Sequence, residues 1–308
     1  MQTILITGGT GLVGTALTKM LVENGNKVII LTRSIKGKQA SDAVSYALWD
    51  VEQQTIDTDA LSAADCIVHL AGAGVVDQRW TNAYKKTIVD SRVDSGNFLI
   101  ESLRNHPHKV KTIISSSAIG WYGADQKENV PFVETDPADK HFLGETCQLW
   151  EESIRPASKM GIRVCTIRTG IVLSKNGGAL AEFMKPIRLG VAAILGNGKQ
   201  MVSWIHIDDL CRIFMHVIQN ESLNGNYNGV APKPVSNQQL TLELARIMRK
   251  QFFVPMHVPA FVLKCIMGES SIEVLKSTNV SSKKIQASGF TFYYPSITAA
   301  LNALINPS

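Results

Sequence analysis

The sequence predicts an α/β fold: a doubly wound parallel sheet with a smaller, discontinuous C-terminal α+β domain. Three observations carry that expectation. Short, almost wholly apolar runs recur along the first half, beginning with Ile4-Leu5-Ile6. Amphipathic stretches of helical period separate them. The alternation then gives way after Thr169 to a glycine-rich stretch and a set of short elements. Strands covered by helices on both faces lose the polar–apolar alternation of an exposed sheet, and nearly continuous apolar strands are the mark of a parallel one.

Taken in order, Ile4-Leu5-Ile6 is the first strand. Gly11 to Asn24 is a helix, because Leu12, Val13, Ala16, Leu17, Met20 and Leu21 recur at helical spacing and Gly25 stops it. Val28–Leu31, Val44–Leu48 and Cys66–Leu70 are the second to fourth strands. Trp80–Arg104 reads as a long helix that ends ahead of Pro107. Lys111–Ser115 and Arg163–Ile167 are the fifth and sixth strands. Beyond them, Gly177-Gly178 and Gly196-Asn197-Gly198 punctuate residues 170–205. Ile205–Val217 reads as a strand end and a helix, Asn237–Lys250 as a helix and Phe253–Val258 as extended. Ala260–Met267 is a further helix, and a last one follows Pro295. The expected division is residues 1–170, rejoined by 205–231, against 171–204 with 232–308. The final quarter is too short for a large core of its own, so it is expected to pack on the front half.

The 308 residues are 45% hydrophobic and 19% charged, which excludes disordered, collagen-like and coiled-coil classes. Lys plus Arg is 31 against 26 for Asp plus Glu, a net charge of +5 without any basic run. Nucleic acid is therefore not an expected partner, and the sign suits an anionic small ligand. Cys66, Cys147, Cys165, Cys211 and Cys265 are widely spaced and form no CxxC pair, so neither a disulfide framework nor a zinc or other metal site is expected. Reduced thiols suit a cytoplasmic protein. Met1-Gln2-Thr3 leads straight into a strand, with no basic segment ahead of a cleavable apolar core. No apolar stretch approaches the roughly 18 residues of a membrane span. A monomer or homodimer is expected.

Thr7-Gly8-Gly9-Thr10-Gly11-Leu12-Val13-Gly14 joins the first strand to the first helix. Gly8, Gly11 and Gly14 follow a GxxGxxG spacing. Such glycines serve a tight turn, the close approach of a pyrophosphate, and close helix–strand packing. The helix N-terminus adds free N–H groups and partial positive charge. Where dinucleotide sites selective for NAD place an acidic residue after the second strand, this chain has Leu31-Thr32-Arg33-Ser34. Arg33 can pair bidentately with a 2′-phosphate and Ser34 can hydrogen-bond it, so NADP(H) is preferred over NAD(H). Asp50, after the third strand, is placed to meet the adenine amino group or, alternatively, to cap a turn.

These motifs resemble the extended short-chain dehydrogenase/reductases, which include nucleotide-sugar epimerases. The resemblance rests on the Thr7–Gly14 loop, on His69-Leu70-Ala71-Gly72-Ala73-Gly74 and on Ser115-Ser116-Ser117. Arg79-Trp80, Ser91-Arg92, Arg168-Thr169-Gly170, Gly196-Asn197-Gly198, Ser203–Asp209 and Met267-Gly268-Glu269-Ser270 bring it closer to an atypical branch. That branch holds NAD(P)-dependent epimerase-family proteins with a short characteristic C-terminal domain. The resemblance covers nearly the whole chain. It implies a Rossmann-type fold with the cofactor across the C-terminal sheet edge, contacted by Gly8, Thr10, Gly11, Leu12, Val13 and Gly14. It further implies that Leu70, Ala71, Gly72, Ser115 and Arg168 contact the cofactor. Substrate would lie between that edge and the C-terminal domain, near Arg79, Trp80, Ser116 and His206.

One part of the family pattern is missing. Ordinary members carry Tyr-x-x-x-Lys, in which the tyrosine moves the substrate proton and the lysine lowers its pKa. Here the corresponding segment is His141-Phe142-Leu143-Gly144-Glu145-Thr146-Cys147, and no tyrosine occurs between Tyr122 and Tyr227. Ser117 is the candidate polar anchor for a carbonyl and Tyr122 the candidate proton donor. His141 and the His206–Asp208–Asp209 group are alternatives with simpler readings, a loop histidine and a helix start. Arg79, Arg92 and Arg168 suit the binding of a carboxylate or phosphate rather than proton transfer. The expected function is an NADP(H)-dependent oxidoreductase or epimerase-like enzyme acting on a small carbonyl or sugar-like substrate. The alternative is an NADP(H)-binding regulatory or sensor protein with little turnover.

Overall fold

Every apolar run of the first half becomes a strand of one sheet. The structure is a computed structural model and describes residues 1–126, 130–250 and 252–306. The front half runs β1 (Thr3–Thr7), α1 (Leu12–Glu23), β2 (Lys27–Thr32), β3 (Val44–Asp50), β4 (Thr55–Ile56), α2 (Thr58–Ala63), β5 (Cys66–His69), α3 (Asn82–Asn105) and β6 (Thr112–Ala118). It continues through α4 (Phe142–Ile154) and β7 (Arg163–Thr169). The remainder holds β8 (Ile171–Leu173), α5 (Ala179–Arg188), β9 (Val191–Leu195), β10 (Met201–Val202), β11 (Trp204–His206), α6 (Ile207–Gln219) and β12 (Gly225–Gly229). Last come β13 (Val235–Ser236), α7 (Asn237–Arg249), β14 (Val254–Val258), α8 (Ala260–Met267), α9 (Ser271–Leu275), α10 (Lys283–Ala287) and α11 (Ile297–Ile305).

The main sheet has eight strands in the order β12-β7-β6-β5-β1-β2-β3-β4. All neighbours are parallel except the short β4, which pairs antiparallel with β3. Ile4 and Ile6 belong to one core layer and Leu5 to another, as the two-residue period of a strand requires. The first layer packs Leu17 and Leu21 of α1 with α6, α7 and α11. The second packs Leu61 of α2 with Phe98, Leu99 and Leu103 of α3. Each such side chain contributes roughly 1.5–3 kcal/mol on burial.

Two differences from the sequence reading are physical. The long helix begins at Asn82 rather than Trp80, because the Thr81 side chain caps it by accepting from the Tyr84 N–H. The strand β12, Gly-Asn-Tyr-Asn-Gly, has the composition of a turn, yet it extends the sheet through parallel pairing with β7. Beyond the sheet, β8 pairs with β11 and β9 with β14, both parallel, and β10 with β13 antiparallel. Cys66, Cys147, Cys165 and Cys211 are buried free thiols and Cys265 is exposed. Among the described residues no helix is long and apolar enough to cross a membrane.

Candidate dinucleotide site

The strand order turns at β1, with β2 and β3 on one side and β5, β6 and β7 on the other. In an open parallel sheet the ligand crevice lies at the carboxyl ends of the strands at such a switch point. The glycine loop occupies it. Gly8 has φ +68, and a Cβ there would lie 2.7 Å from the Leu70 carbonyl oxygen. A Cβ on Gly14 would collide with the Gly8 carbonyl oxygen, so α1 starts as close to the loop as backbone allows. Gly11 caps α1 without any side-chain hydrogen bond, and the first turn carries no acidic residue. The first amides of a helix lack intrahelical partners and carry partial positive charge. A cradle that only glycine fits, next to free amides with no competing carboxylate, suits a diphosphate. Thr10 and Gly11 are exposed there, and Leu12 and Val13 are half-buried.

Sequence reasoning missed what holds the two strand ends together. The Thr7 hydroxyl lies 2.8 Å from His69 Nδ1, and its oxygen accepts from the Leu70 and Ala71 amides at 3.1 and 3.2 Å. His69 is fully buried, with Nε2 at 3.4 Å from Ser95 Oγ, and burial pushes its pKa down to about 4. Ser95 Oγ donates to the Ser91 carbonyl, so the neutral ring accepts a hydrogen bond from the Thr7 hydroxyl at Nδ1 and donates from Nε2. Thr7 thereby fixes the backbone of Leu70 and Ala71 against the glycine loop. Arg92, on α3, holds the next residues: its guanidinium donates to the Ile88 and Ala73 carbonyls, both at 2.9 Å, and packs against Gly72.

On the other side of the switch point, Arg33 and Ser34 are exposed just past β2. The turn role is the one Asp50 takes: its Oδ1 accepts from the Glu52 and Gln53 amides at 2.9 and 3.0 Å.

At the end of β6 the serines differ. Ser115 and Ser116 each donate to the carbonyl of the following residue, at 3.0 and 3.3 Å. Ser117 is buried and its Oγ has no hydrogen-bond partner among the described residues. Cys147 of α4 lies beside it, and its Sγ is 3.6 Å from the Ala118 carbonyl oxygen. Leu143 and Cys147, one helical turn apart, face Gly120. The α4 surface over this strand end therefore carries an apolar residue and a thiol that burial pushes up to about 11.

Several expected site residues have other partners. Tyr122 is buried, stacks on Phe132 and donates to Asn228 Oδ1 at 2.6 Å. Burial pushes its pKa up to about 12, so this hydroxyl keeps its proton and gives it to Asn228. Arg168, expected at the cofactor, has a buried guanidinium that pairs with both Glu151 oxygens at 2.8 and 3.0 Å and donates to the Tyr122 hydroxyl. Arg79, expected at the substrate, donates to the Ile266 and Cys265 carbonyls at the end of α8. Trp80 is buried against Phe142, with its indole N–H on the Val75 carbonyl. These two side chains pin the segment after β5. His206 caps α6 by accepting from the Asp208 amide and stacks on Tyr294 with centroids 3.8 Å apart. It lines a cavity of about 930 Å³ along the outer side of α1, which reaches Thr10–Leu12 of the glycine loop. His141 is exposed and paired with Asp139. Among the described residues no three His, Cys, Asp or Glu side chains converge as a metal site.

Comparison with known proteins agrees with this geometry. Residues 4–228 match the model of the NAD dependent epimerase/dehydratase family, and residues 258–304 match a domain of unknown function, DUF1731. An epimerase family protein of Staphylococcus saprophyticus is 35% identical, covering 99% of this chain and 100% of its own. A chloroplastic epimerase family protein SDR39U1 homolog of Arabidopsis thaliana is 32% identical over 99% of this chain and 87% of its own. Among solved structures, human epimerase family protein SDR39U1 with NADPH superposes with a TM-score of 0.87 at 26% identity, over 99% of this chain and 100% of that one. A Corynebacterium glutamicum nucleoside-diphosphate sugar epimerase gives 0.77 at 33% identity, over 99% of this chain and 58% of that one. With the family model spanning the sheet and the glycine cradle, the chain belongs to the NAD dependent epimerase/dehydratase family.

Proposed function

We propose that the protein binds NADP(H) in preference to NAD(H) and acts as an oxidoreductase or epimerase-like enzyme on a small carbonyl or sugar-like substrate. The observation that carries this reading is the glycine cradle at the sheet's switch point, with Arg33 and no carboxylate just past β2. Amides at the start of α1 would hold the diphosphate, and Arg33 with Ser34 the 2′-phosphate. When bound, the cofactor would supply or accept hydride. The relative solved with NADPH supports the choice of nucleotide. On the chain's side, Ser117, whose hydroxyl lacks a partner among the described residues, would orient a carbonyl oxygen. The proton would come from solvent, because Tyr122 is committed to Asn228 and the α4 positions facing Gly120 hold Leu143 and Cys147.

That last observation favours a second reading, an NADP(H)-binding sensor with little turnover. Fluorescence titration separates the questions. NADPH should bind at least about tenfold more tightly than NADH, and Arg33→Ala should remove most of that margin, as loss of a charge-assisted bidentate contact does. Equal affinities in the native chain would rule out the Arg33 assignment. NADPH oxidation with a carbonyl or nucleotide sugar, reduced by Ser117→Ala, supports the enzyme. A silent panel with tight NADPH binding favours the sensor.

A further inference from the structure

The unusual charge in this molecule is Arg92. It is 8% exposed, lies with its guanidinium 4.9 Å from the Trp150 ring centre, and packs against Gly72. Its hydrogen bonds go to two backbone carbonyls, Ile88 and Ala73. The ionisable groups in electrostatic range of it are Cys147 and Tyr84. Burial holds the Cys147 thiol and the Tyr84 phenol above their ordinary values, so both are neutral near pH 7. Among the described residues the guanidinium therefore has no carboxylate partner. An uncompensated buried cation is costly, and Arg cannot shed its charge as Lys can. By contrast, the buried Arg168 of β7 is neutralised by Glu151. Among the described residues one of these buried arginines is paired and the other is not, which places a fixed positive potential at Arg92.

Its location gives that potential a target. Arg92 spans Gly72 and Ala73, past the end of β5, and Cys147, which covers the end of β6. Arg33 lies on the opposite side of the switch point, past β2. A dinucleotide laid across that point with its 2′-phosphate at Arg33 puts its nicotinamide half on the Arg92 side. We propose that Arg92 sets the redox-state preference of the site, disfavouring the cationic oxidised nicotinamide so that the chain binds NADPH more tightly than NADP+. This rests on the dinucleotide reading above. The oxidised and reduced forms carry the same phosphates, so the ratio of their affinities isolates the ring charge.

The experiment is fluorescence and competition titration of the native chain, Arg92→Met and Arg92→Lys with NADPH and with NADP+, each variant checked for folding by circular dichroism. A unit charge acting across about 10 Å at an effective dielectric near 20 corresponds to a roughly tenfold preference or more. The native chain should show it. Arg92→Met, which keeps a long apolar stem against Gly72, should bring the two affinities together, chiefly by strengthening NADP+. Arg92→Lys should restore most of the preference. A purely structural role for Arg92, in holding the 72–73 backbone, would weaken both forms alike and leave the ratio unchanged, and that result overturns the proposal. Equal native affinities overturn it without any variant. Binding of neither form removes the dinucleotide reading as well, which sets that failure apart.

Discussion

The Thr7–His69 pair shows how a single buried residue connects stability with the site. Burial holds His69 neutral down to a pKa of about 4, against 6.5 for a free side chain. The unfolded chain therefore takes up a proton below pH 6.5 that the folded chain refuses until about pH 4. Its stability is complete above the unfolded value, falls as pH drops through that window, and is level below it. The full loss is on the order of 3 kcal/mol. Thermal melts at pH 7 and pH 5 should show a drop in the native chain that is smaller in His69→Gln, and equal drops would contradict this account of His69. Sequence could not show this pairing, because Thr7 and His69 are 62 residues apart and join only through the alignment of β1 with β5. The same reason explains Arg168. Its motif resembles a site motif, but Glu151 on α4 takes the guanidinium.

At the scale of elements, the turn from β1 into α1 is the most legible part of the chain. Its signals are local: an apolar strand, glycines at fixed spacing, and an amphipathic helix within one short stretch. Gly14 is its tightest point, since an added methyl would meet the Gly8 carbonyl oxygen and the Gly9 backbone. Gly14→Ala should weaken NADPH binding at least about tenfold and lower the melting temperature, because backbone rather than a flexible side chain must yield. Thr15→Ala, one residue on and exposed, should do neither. A folded Gly14→Ala chain with native affinity would contradict the cradle. The segment after β5 was less legible. Arg79 and Trp80 are residue types that bind ligands, and only the three-dimensional arrangement brings the α8 carbonyls and Phe142 to them.

For the whole molecule, the larger core layer joins the sheet to the C-terminal helices. Ile4 and Ile6 of β1 share it with Leu301 and Leu304 of α11. Leu301→Ala should cost about 2–5 kcal/mol, as deletion of a fully buried leucine does, and should lower the midpoint of a single melting transition. A separate early transition for the C-terminal segment would contradict this shared core. The fold class was readable because parallel strands announce themselves by apolar runs. The strand β12 was not, since its glycines and asparagines become a strand only through β7. The missing Tyr-x-x-x-Lys was readable as an absence, whereas the unpaired Arg92 was visible only once its neighbours were known. On the proposed reading a pyridine dinucleotide seats across the switch point at β1, and amide hydrogen exchange of the native chain with and without NADPH maps where it sits. Exchange should slow at residues 8–14, 33–34 and 70–73 together. Unchanged exchange in all three segments at saturating NADPH, or slowing confined to residues elsewhere, would contradict it.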